Sequence, residues 1–324
     1  MGQLTEPPHS DSDHFDIKDE ASELAWKEWA QLVRAEDWTS DDNSVLGLTP
    51  TLPSTRIVLA SRKSDGGFLG CVVWNEYDGI AFIGFYLLSP ASRGLGIGSK
   101  IWKRAMERIP KDHVIGLRAV SLMAEKYKAN DTPVECGHLM TYKLSSDQFG
   151  QVCKDASPTD GLGLHVKLVN DLNDEEFAKL LAFDKGITKR DRSAFLRLFF
   201  SFPSTAGCVA IDPYGSVVAL AAVTSTSFPD RNFFKLAPVY ANSLGVFAAV
   251  TAPLVDYVRS LSTSSTLLIH ILSGTPGEAE VVPLLRHFDQ GHLQGRTLFS
   301  KEYTIPIDSS RCYVPHNNSC HFDA

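Results

Sequence analysis

The sequence predicts an α/β (α+β) fold with two similar domains in tandem, each a mixed, mostly antiparallel sheet flanked by helices. The chain has 324 residues, about the length of two average domains, and a single undivided core would sit at the upper size limit. The same order of elements (helices, an antiparallel meander, a helix, a strand and a helix) occurs twice along it. Glycine turns at Asp65-Gly66-Gly67 and Asp78-Gly79 join apolar runs, which is typical of β-hairpins.

The first domain is expected over residues 14–149, after a disordered leader at 1–13. Helical spacing of apolar residues predicts its helices, and apolar runs between turn signals predict its strands. In chain order we expect a strand near Phe15, a helix over 22–34, strands over 56–62, 67–74 and 80–88, a helix over 93–109, a strand over 114–120 and a helix over 122–128.

The second domain is expected over residues 164–306, after a polar, turn-rich linker at 150–163 and before a flexible tail at 307–324. In chain order we expect a strand over 165–169, helices over 174–183 and 192–202, strands over 207–211, 217–224 and 233–239, a helix over 243–261, a strand over 266–272, a helix over 279–287 and a strand over 294–305. Pro253 should kink or interrupt the long helix of this half.

Composition and charge exclude several classes of protein. The formal net charge is −7, so the chain has no overall field for nucleic acid or anionic lipid. The start of the chain has neither a signal-peptide pattern nor a myristoylation motif. The uncharged stretch from Leu236 to Val255 contains two prolines and a glycine, which favours a buried strand and helix over a membrane span. We expect a soluble cytoplasmic protein without nucleic acid or membrane partners.

The segment from Phe85 to Ser99 carries the chemical information. An apolar strand runs into a turn with Gly94, Gly96 and Gly98, and an amphipathic helix follows. The first N–H groups of a helix lack intrahelical partners and lie at the positive end of its dipole. Glycines leave those donors open to an anion, so the segment predicts a phosphate or pyrophosphate site.

The spacing of this loop excludes two common phosphate motifs. It lacks the Gly-Lys-Ser/Thr ending of a Walker loop and the third glycine of a dinucleotide fingerprint. It fits Arg-x-x-Gly-x-Gly at Arg93, Gly96 and Gly98. With Pro90 upstream, a helix downstream and the element order of residues 15–145, the segment resembles the coenzyme A loop of the GNAT (Gcn5-related) N-acetyltransferase superfamily.

The resemblance implies an N-acetyltransferase that takes acetyl from acetyl-CoA by direct attack of a primary amine. It implies that Arg93, Gly94, Leu95, Gly96, Ile97, Gly98 and Ser99 bind the pyrophosphate. The fourth strand would splay from the fifth and offer the backbone of Leu87 and Leu88 to the pantetheine arm. Tyr127 would be the acid and Glu76 the base, with water-mediated deprotonation as an alternative. Both residues could instead be ordinary surface side chains, and the protein a non-catalytic coenzyme A sensor or scaffold.

The second domain matches this pattern less well. Its corresponding segment, residues 238–247, has no arginine and one glycine, and the whole resembles tandem two-domain GNAT proteins of the YitH type. We therefore expect one coenzyme per chain. We also expect a pocket between the halves for a small amine or amino-acid-like acceptor, and a homodimer is compatible with it. The string Cys312, His316, Cys320 and His321 matches no common zinc spacing, so no metal is expected.

Overall fold

The computed structural model describes residues 14–36, 43–157, 163–226 and 232–316. The leader expected at 1–13 lies outside these residues. The strands, in chain order, are β1 Phe15–Lys18, β2 Thr55–Arg62, β3 Phe68–Tyr77, β4 Ile80–Leu88, β5 Val114–Ala119, β6 Val134–Ser145, β7 His165–Leu168, β8 Thr205–Ile211, β9 Val217–Ser225, β10 Phe233–Ala241, β11 Thr266–Leu272, β12 His292–Phe299 and β13 Cys312–Val314.

The helices flank both faces of the sheet. They are α1 Glu23–Ala35, α2 Asn43–Leu48, α3 Ile97–Arg108, α4 Ser121–Lys128, α5 Ser146–Ala156, α6 Asp174–Thr188, α7 Ser193–Ser201, α8 Leu244–Leu261 and α9 Val282–Leu285. A turn of π-helix, Gly277–Val281, leads into α9. The mixed α/β architecture predicted from the sequence is therefore confirmed.

All the strands except β13 form one continuous sheet in the order β1-β2-β3-β4-β5-β12-β6-β11-β10-β9-β8-β7, and β13 pairs with β10. The last strand of each half is exchanged: β12 lies between β5 and β6, and β6 lies between β12 and β11. The strand predicted over 294–305 thus completes the sheet of the first half, not its own. The two sequence domains share one sheet.

The repeat expected from the element order is visible in the strand pairing. In the first half β4 runs parallel to β5 over four residue pairs, from Ile80–Val114 to Ile83–Leu117. In the second half β10 runs parallel to β11 over four pairs, from Phe233–Thr266 to Leu236–Ile269. In both halves the two parallel strands stop pairing after the fourth residue pair.

The linker and the tail expected from the sequence need correction. Residues 150–156 continue α5, because Phe149, Val152, Cys153 and Ala156 repeat at helical spacing and are buried. The Phe149 ring meets Phe247 of α8 with centroids 6.3 Å apart. In the expected tail, Cys312–Val314 forms β13 and His316 is buried. These segments belong to the core.

The apolar stretch from Leu236 to Val255 forms the end of β10 and most of α8, as expected. By length and composition alone α8 could cross a membrane. One side of α8 is nevertheless buried against α5 and strands β8, β9 and β10, with Phe247, Val250 and Leu254 almost fully covered. Pro253 lies inside α8 without ending it.

Candidate active site

A cleft opens where β4 and β5 diverge. Their pairing ends at Ile83 and Leu117, while β4 stays paired with β3 as far as Leu88. The resulting space is about 740 Å³. It is lined by the C-terminus of α1, β4, β5, α4 and the loop before α3: Glu36, Ile83, Gly84, Tyr86, Leu87, Leu88, Arg93, Leu117, Arg118, Ala119, Val120, Leu122, Met123, Lys126 and Tyr127. The splayed strands expected from the family resemblance are thus present, and Leu87 and Leu88 lie on the cleft.

The glycine loop leaves the N-terminus of α3 open. Gly94 and Gly96 have φ of +80° and +74°, which non-glycine residues rarely adopt. The helix therefore begins at Ile97, four residues later than expected, and Gly96 occupies the N-cap without a side-chain hydrogen bond. A Cβ added at Gly94 or Gly96 would meet no atom within 4 Å. The surroundings of both glycines are therefore open, which suits the approach of an anion to the start of the helix.

Gly98 has a different role from the other two glycines. A Cβ there would overlap the Tyr86 hydroxyl and lie 2.9 Å from Leu88 Cδ1. Gly98 therefore lets α3 pack closely on β4. Ile97 is buried in the core and Leu95 and Ser99 are exposed, so Ile97 can offer an anion only its backbone.

Arg93 lies at the mouth of the cleft and is held by two acceptors. Its Nε donates to Leu88 O at 3.3 Å, and its Nη2 forms a short ion pair with Glu36 Oε1. The side chain remains 53% exposed. Glu36 is a functional candidate that the sequence did not reveal, since 57 residues separate it from Arg93.

Tyr127 lies on α4 and lines the same cleft. Its ring centroid is 5.3 Å from that of Trp102, which is in turn 5.2 Å from Tyr86. Burial, and to a lesser degree the neighbouring Tyr86, raises the pKa of the Tyr127 hydroxyl above its usual value. The phenol is therefore protonated at neutral pH, and it is a weaker acid than an exposed tyrosine.

Glu76, expected as the base, does not lie on this cleft. It is paired across the β3–β4 hairpin with Ala81, whereas Leu88 pairs with Gly70 at the opposite end of β4. Its carboxylate accepts from Trp74 Nε1 at 3.0 Å and forms an ion pair with Arg56 Nε at 3.1 Å. The assignment of Glu76 as a base at this cleft is therefore corrected. Among the described lining residues the only carboxylate belongs to Glu36.

No cluster of three or more potential metal ligands occurs within the described residues. Cys312 and His316 are both buried. Cys320 and His321, the other members of the C-terminal string, lie outside the part of the chain that the structure describes.

Comparison with known proteins agrees with the loop and the cleft. A profile of the Acetyltransferase (GNAT) family matches residues 19–131. A Caenorhabditis elegans protein is 38% identical over 307 residues, which cover 92% of this chain and 94% of the relative. The chain belongs to the GNAT family. A second relative, holothin acyltransferase of a Pseudoalteromonas species, is 25% identical over 76% of this chain and 79% of its own length.

Two solved structures share the architecture of the whole chain. A tandem GNAT protein from the clavulanic acid biosynthesis pathway has a TM-score of 0.63 at 14% identity, covering 90% of this chain and all of its own. A Pyrococcus horikoshii protein assigned as an acetyltransferase has a TM-score of 0.66 at 16% identity, covering 98% and 99%. At these identities the likeness concerns the fold, and it confirms the tandem arrangement.

Members of this family are acyltransferases that use acyl-CoA. The residues around the cleft fit such a ligand. The uncapped start of α3 and Arg93 suit an anionic pyrophosphate, and the edge of β4 that faces away from β3 suits an extended amide-containing arm.

Proposed function

We propose that the chain is an acyl-CoA-dependent N-acyltransferase that moves acetyl from acetyl-CoA to a primary amine at the first-half cleft. The observation that carries the proposal is the open cleft between β4 and β5, which reaches Arg93, the residue that opens the glycine loop before the uncapped start of α3. Arg93 and the N–H groups after Gly96 would bind the pyrophosphate. Leu87 and Leu88 would pair with the pantetheine arm through their backbone.

Acetyl-CoA supplies the activated thioester: the amine nitrogen bonds to its carbonyl carbon, the carbon–sulfur bond breaks, and the nitrogen loses a proton. Tyr127 would donate its hydroxyl proton to the departing sulfur, since it lines the cleft and its phenol is protonated at neutral pH. The amine proton would leave through water, because the described cleft has no carboxylate apart from the paired Glu36. The Tyr127 phenolate would then recover a proton from solvent.

The acceptor would meet residues of both halves. Arg118 follows Leu117, where the β4–β5 pairing ends, and its Nε donates to Thr297 Oγ1 of β12 at 3.2 Å. Because β12 comes from the second half of the sequence, that half forms one side of the region beyond the thioester. The relative named holothin acyltransferase supports the transfer of an acyl group to an acceptor. A small amine or an amino-acid-like compound is the acceptor we propose, in a cytoplasmic setting.

A non-catalytic coenzyme A sensor or scaffold is the second candidate. The position of Glu76 outside the cleft favours it, because the one carboxylate among the described lining residues, Glu36, is paired with Arg93. Thioester turnover with an amine decides between the two candidates.

The first test is thermal stabilisation by acetyl-CoA, since a ligand that binds only the folded state raises the melting temperature. Gly96→Glu places a negative charge in front of α3 and should abolish the shift. Gly79→Glu is the matched control, because Gly79 has the same φ of +74° and equally open surroundings but lies at the β3–β4 turn. An equal shift in both variants would contradict the site.

The second test measures release of free thiol from acetyl-CoA across a panel of primary amines, amino acids and aminoglycosides. Turnover with at least one amine, lost in Gly96→Glu and kept in Gly79→Glu, supports the transferase. A normal thermal shift with no turnover across the panel would favour the sensor or scaffold.

A further inference from the structure

The two halves differ at the one place where their strand pairing predicts identical clefts. Tyr86 and Leu87 are the third and fourth residues past the β4–β5 pairing, and they line the open cleft. Val239 and Tyr240 are the third and fourth residues past the β10–β11 pairing. In this second position the strand edge is taken by β13, with Val239 opposite Val314 and Tyr240 opposite Cys312.

The strand β13 is firmly seated in this position. Cys312, Tyr313 and Val314 are all almost fully buried. The Tyr313 hydroxyl donates to Glu280 Oε2 at 2.8 Å, and its ring centroid is 5.2 Å from that of Phe247. On the other side, Gly277 approaches so closely that a Cβ would overlap the carbonyl oxygen of Tyr313.

The remaining space in the second half is small. A pocket of about 200 Å³ is lined by Leu272–Thr275 at the end of β11. By strand register this segment corresponds to the one that contributes Val120, Leu122 and Met123 to the first cleft. Its other walls include Tyr303, Ile305, Ile307, Ser309 and Cys312, which belong to the segment that leads into β13. The chain itself therefore fills most of the volume that is open in the first half.

The helix start beside this strand is also closed. Ser243 occupies the N-cap of α8 and accepts from Val246 N at 3.4 Å. The equivalent cap of α3 is Gly96, which has no side-chain oxygen to offer. A donor that is open to an anion in the first half is thus engaged by a hydroxyl in the second.

We propose that β13 is an internal substitute for a pantetheine arm, so that the second cleft holds the chain's own C-terminal strand as its ligand. Extended backbone adds to an exposed strand edge in the same way whether it comes from a peptide or from an amide-containing cofactor arm. The chain consequently binds one acyl-CoA. The inference rests on the proposed use of the first cleft for acyl-CoA.

The test is backbone hydrogen exchange of the full chain with and without saturating acetyl-CoA, together with calorimetric stoichiometry. We expect one molecule per chain, slower exchange at Tyr86–Leu88, and no change at Cys312–Val314. Two molecules per chain, or faster exchange at Cys312–Val314 on adding acetyl-CoA, would overturn the inference while leaving the first site intact. Absence of all binding would instead overturn the proposed function, and the inference with it.

A variant that loosens β13 tests directly whether this strand takes the place of a pantetheine arm. Gly277→Ala pushes on the Tyr313 carbonyl, and overpacking of this kind should speed exchange at Cys312–Val314 roughly 5- to 100-fold. Gly186→Ala is the matched control, because a Cβ there meets no atom within 4 Å. S-acetylpantetheine, which has no nucleotide, should then slow exchange at Val239–Ala241 in Gly277→Ala but not in the wild type.

A milder variant covers the case in which Gly277→Ala does not fold. Tyr313→Phe removes only the hydrogen bond to Glu280 and should loosen β13 less. If β13 is loosened in either variant and S-acetylpantetheine leaves Val239–Ala241 unchanged, β13 does not stand in for a pantetheine arm.

Discussion

Replacing Arg93 tests whether the loop before α3 binds the coenzyme through charge. In Arg93→Met the long apolar stem is kept and the guanidinium is lost. A hydrogen bond to a charged group contributes about 1.5–3 kcal/mol. Because Arg93 is half exposed, screening by solvent places the effect at the lower end. We expect acetyl-CoA to bind about tenfold more weakly, with a smaller dependence on salt concentration.

Replacing Glu36 should change the affinity for acetyl-CoA in the opposite direction. Its ion pair with Arg93 must be exchanged for one with the coenzyme, and an exposed pair contributes about 0–1 kcal/mol. Glu36→Gln removes that competition and also one negative charge beside the pyrophosphate. Acetyl-CoA should therefore bind up to about fivefold more tightly.

The assay is isothermal titration calorimetry with acetyl-CoA at two salt concentrations. Lys126→Met is the control, since Lys126 also lines the cleft but lies on α4 beside Tyr127. An unchanged dissociation constant in Arg93→Met, or tighter binding in that variant than in the wild type, would refute the assignment of Arg93 to the pyrophosphate.

Three further outcomes are expected. Tyr127→Phe should lower turnover by roughly 10²–10⁴ with little change in acetyl-CoA affinity; a loss of less than about tenfold in steady-state kinetics would return Tyr127 to a packing role. Acidification from pH 7 to 5 should lower the free energy of unfolding, because burial holds the pKa of His270 well below its usual value. Only the unfolded chain then takes up a proton at this residue as the pH falls below about 6.5. In denaturant titrations, His270→Asn should show a flatter dependence of the free energy of unfolding on pH. Asp184→Ala should cost about 3–5 kcal/mol in the same titrations, because it leaves Arg192 buried without its carboxylate partner; a cost below about 1 kcal/mol would contradict this.

Local signals predicted most elements around the cleft. The turn at Gly79 and the apolar runs beside it predicted β3 and β4. The glycines at 94 and 96 predicted the open start of α3. Because both have left-handed backbone, the helix begins at Ile97 and not at residue 93 as expected. The cleft could be predicted because a loop motif and the strand before it are contiguous in the chain.

Three elements that depend on distant partners, β6, α5 and β13, were not predicted. The strand β6 has polar residues whose neighbours come from far along the chain: Thr141 pairs with His270 and donates to Gln294 Oε1 at 3.2 Å. The polar composition around α5 concealed the helical spacing of its buried residues, and β13 depends on the edge of β10. The place of Glu36 at the cleft and the position of Glu76 outside it were not predicted either. The ion pairs Glu36–Arg93 and Glu76–Arg56 leave no pattern in the local sequence.

The exchange of β6 and β12 has a consequence for how the chain is made. During synthesis β5 leaves the ribosome long before β12, whose residues start at His292, so the β5 edge must wait for its neighbour. At roughly 5–20 residues per second this wait lasts on the order of ten seconds. An unpaired edge is a template for aggregation, and we expect nascent chains arrested near residue 160 to be protease-sensitive and bound by chaperones. Arrested chains that resist protease as well as the finished protein would contradict this expectation. Release from the ribosome would then coincide with closure of the sheet, because β12 joins both halves in one step.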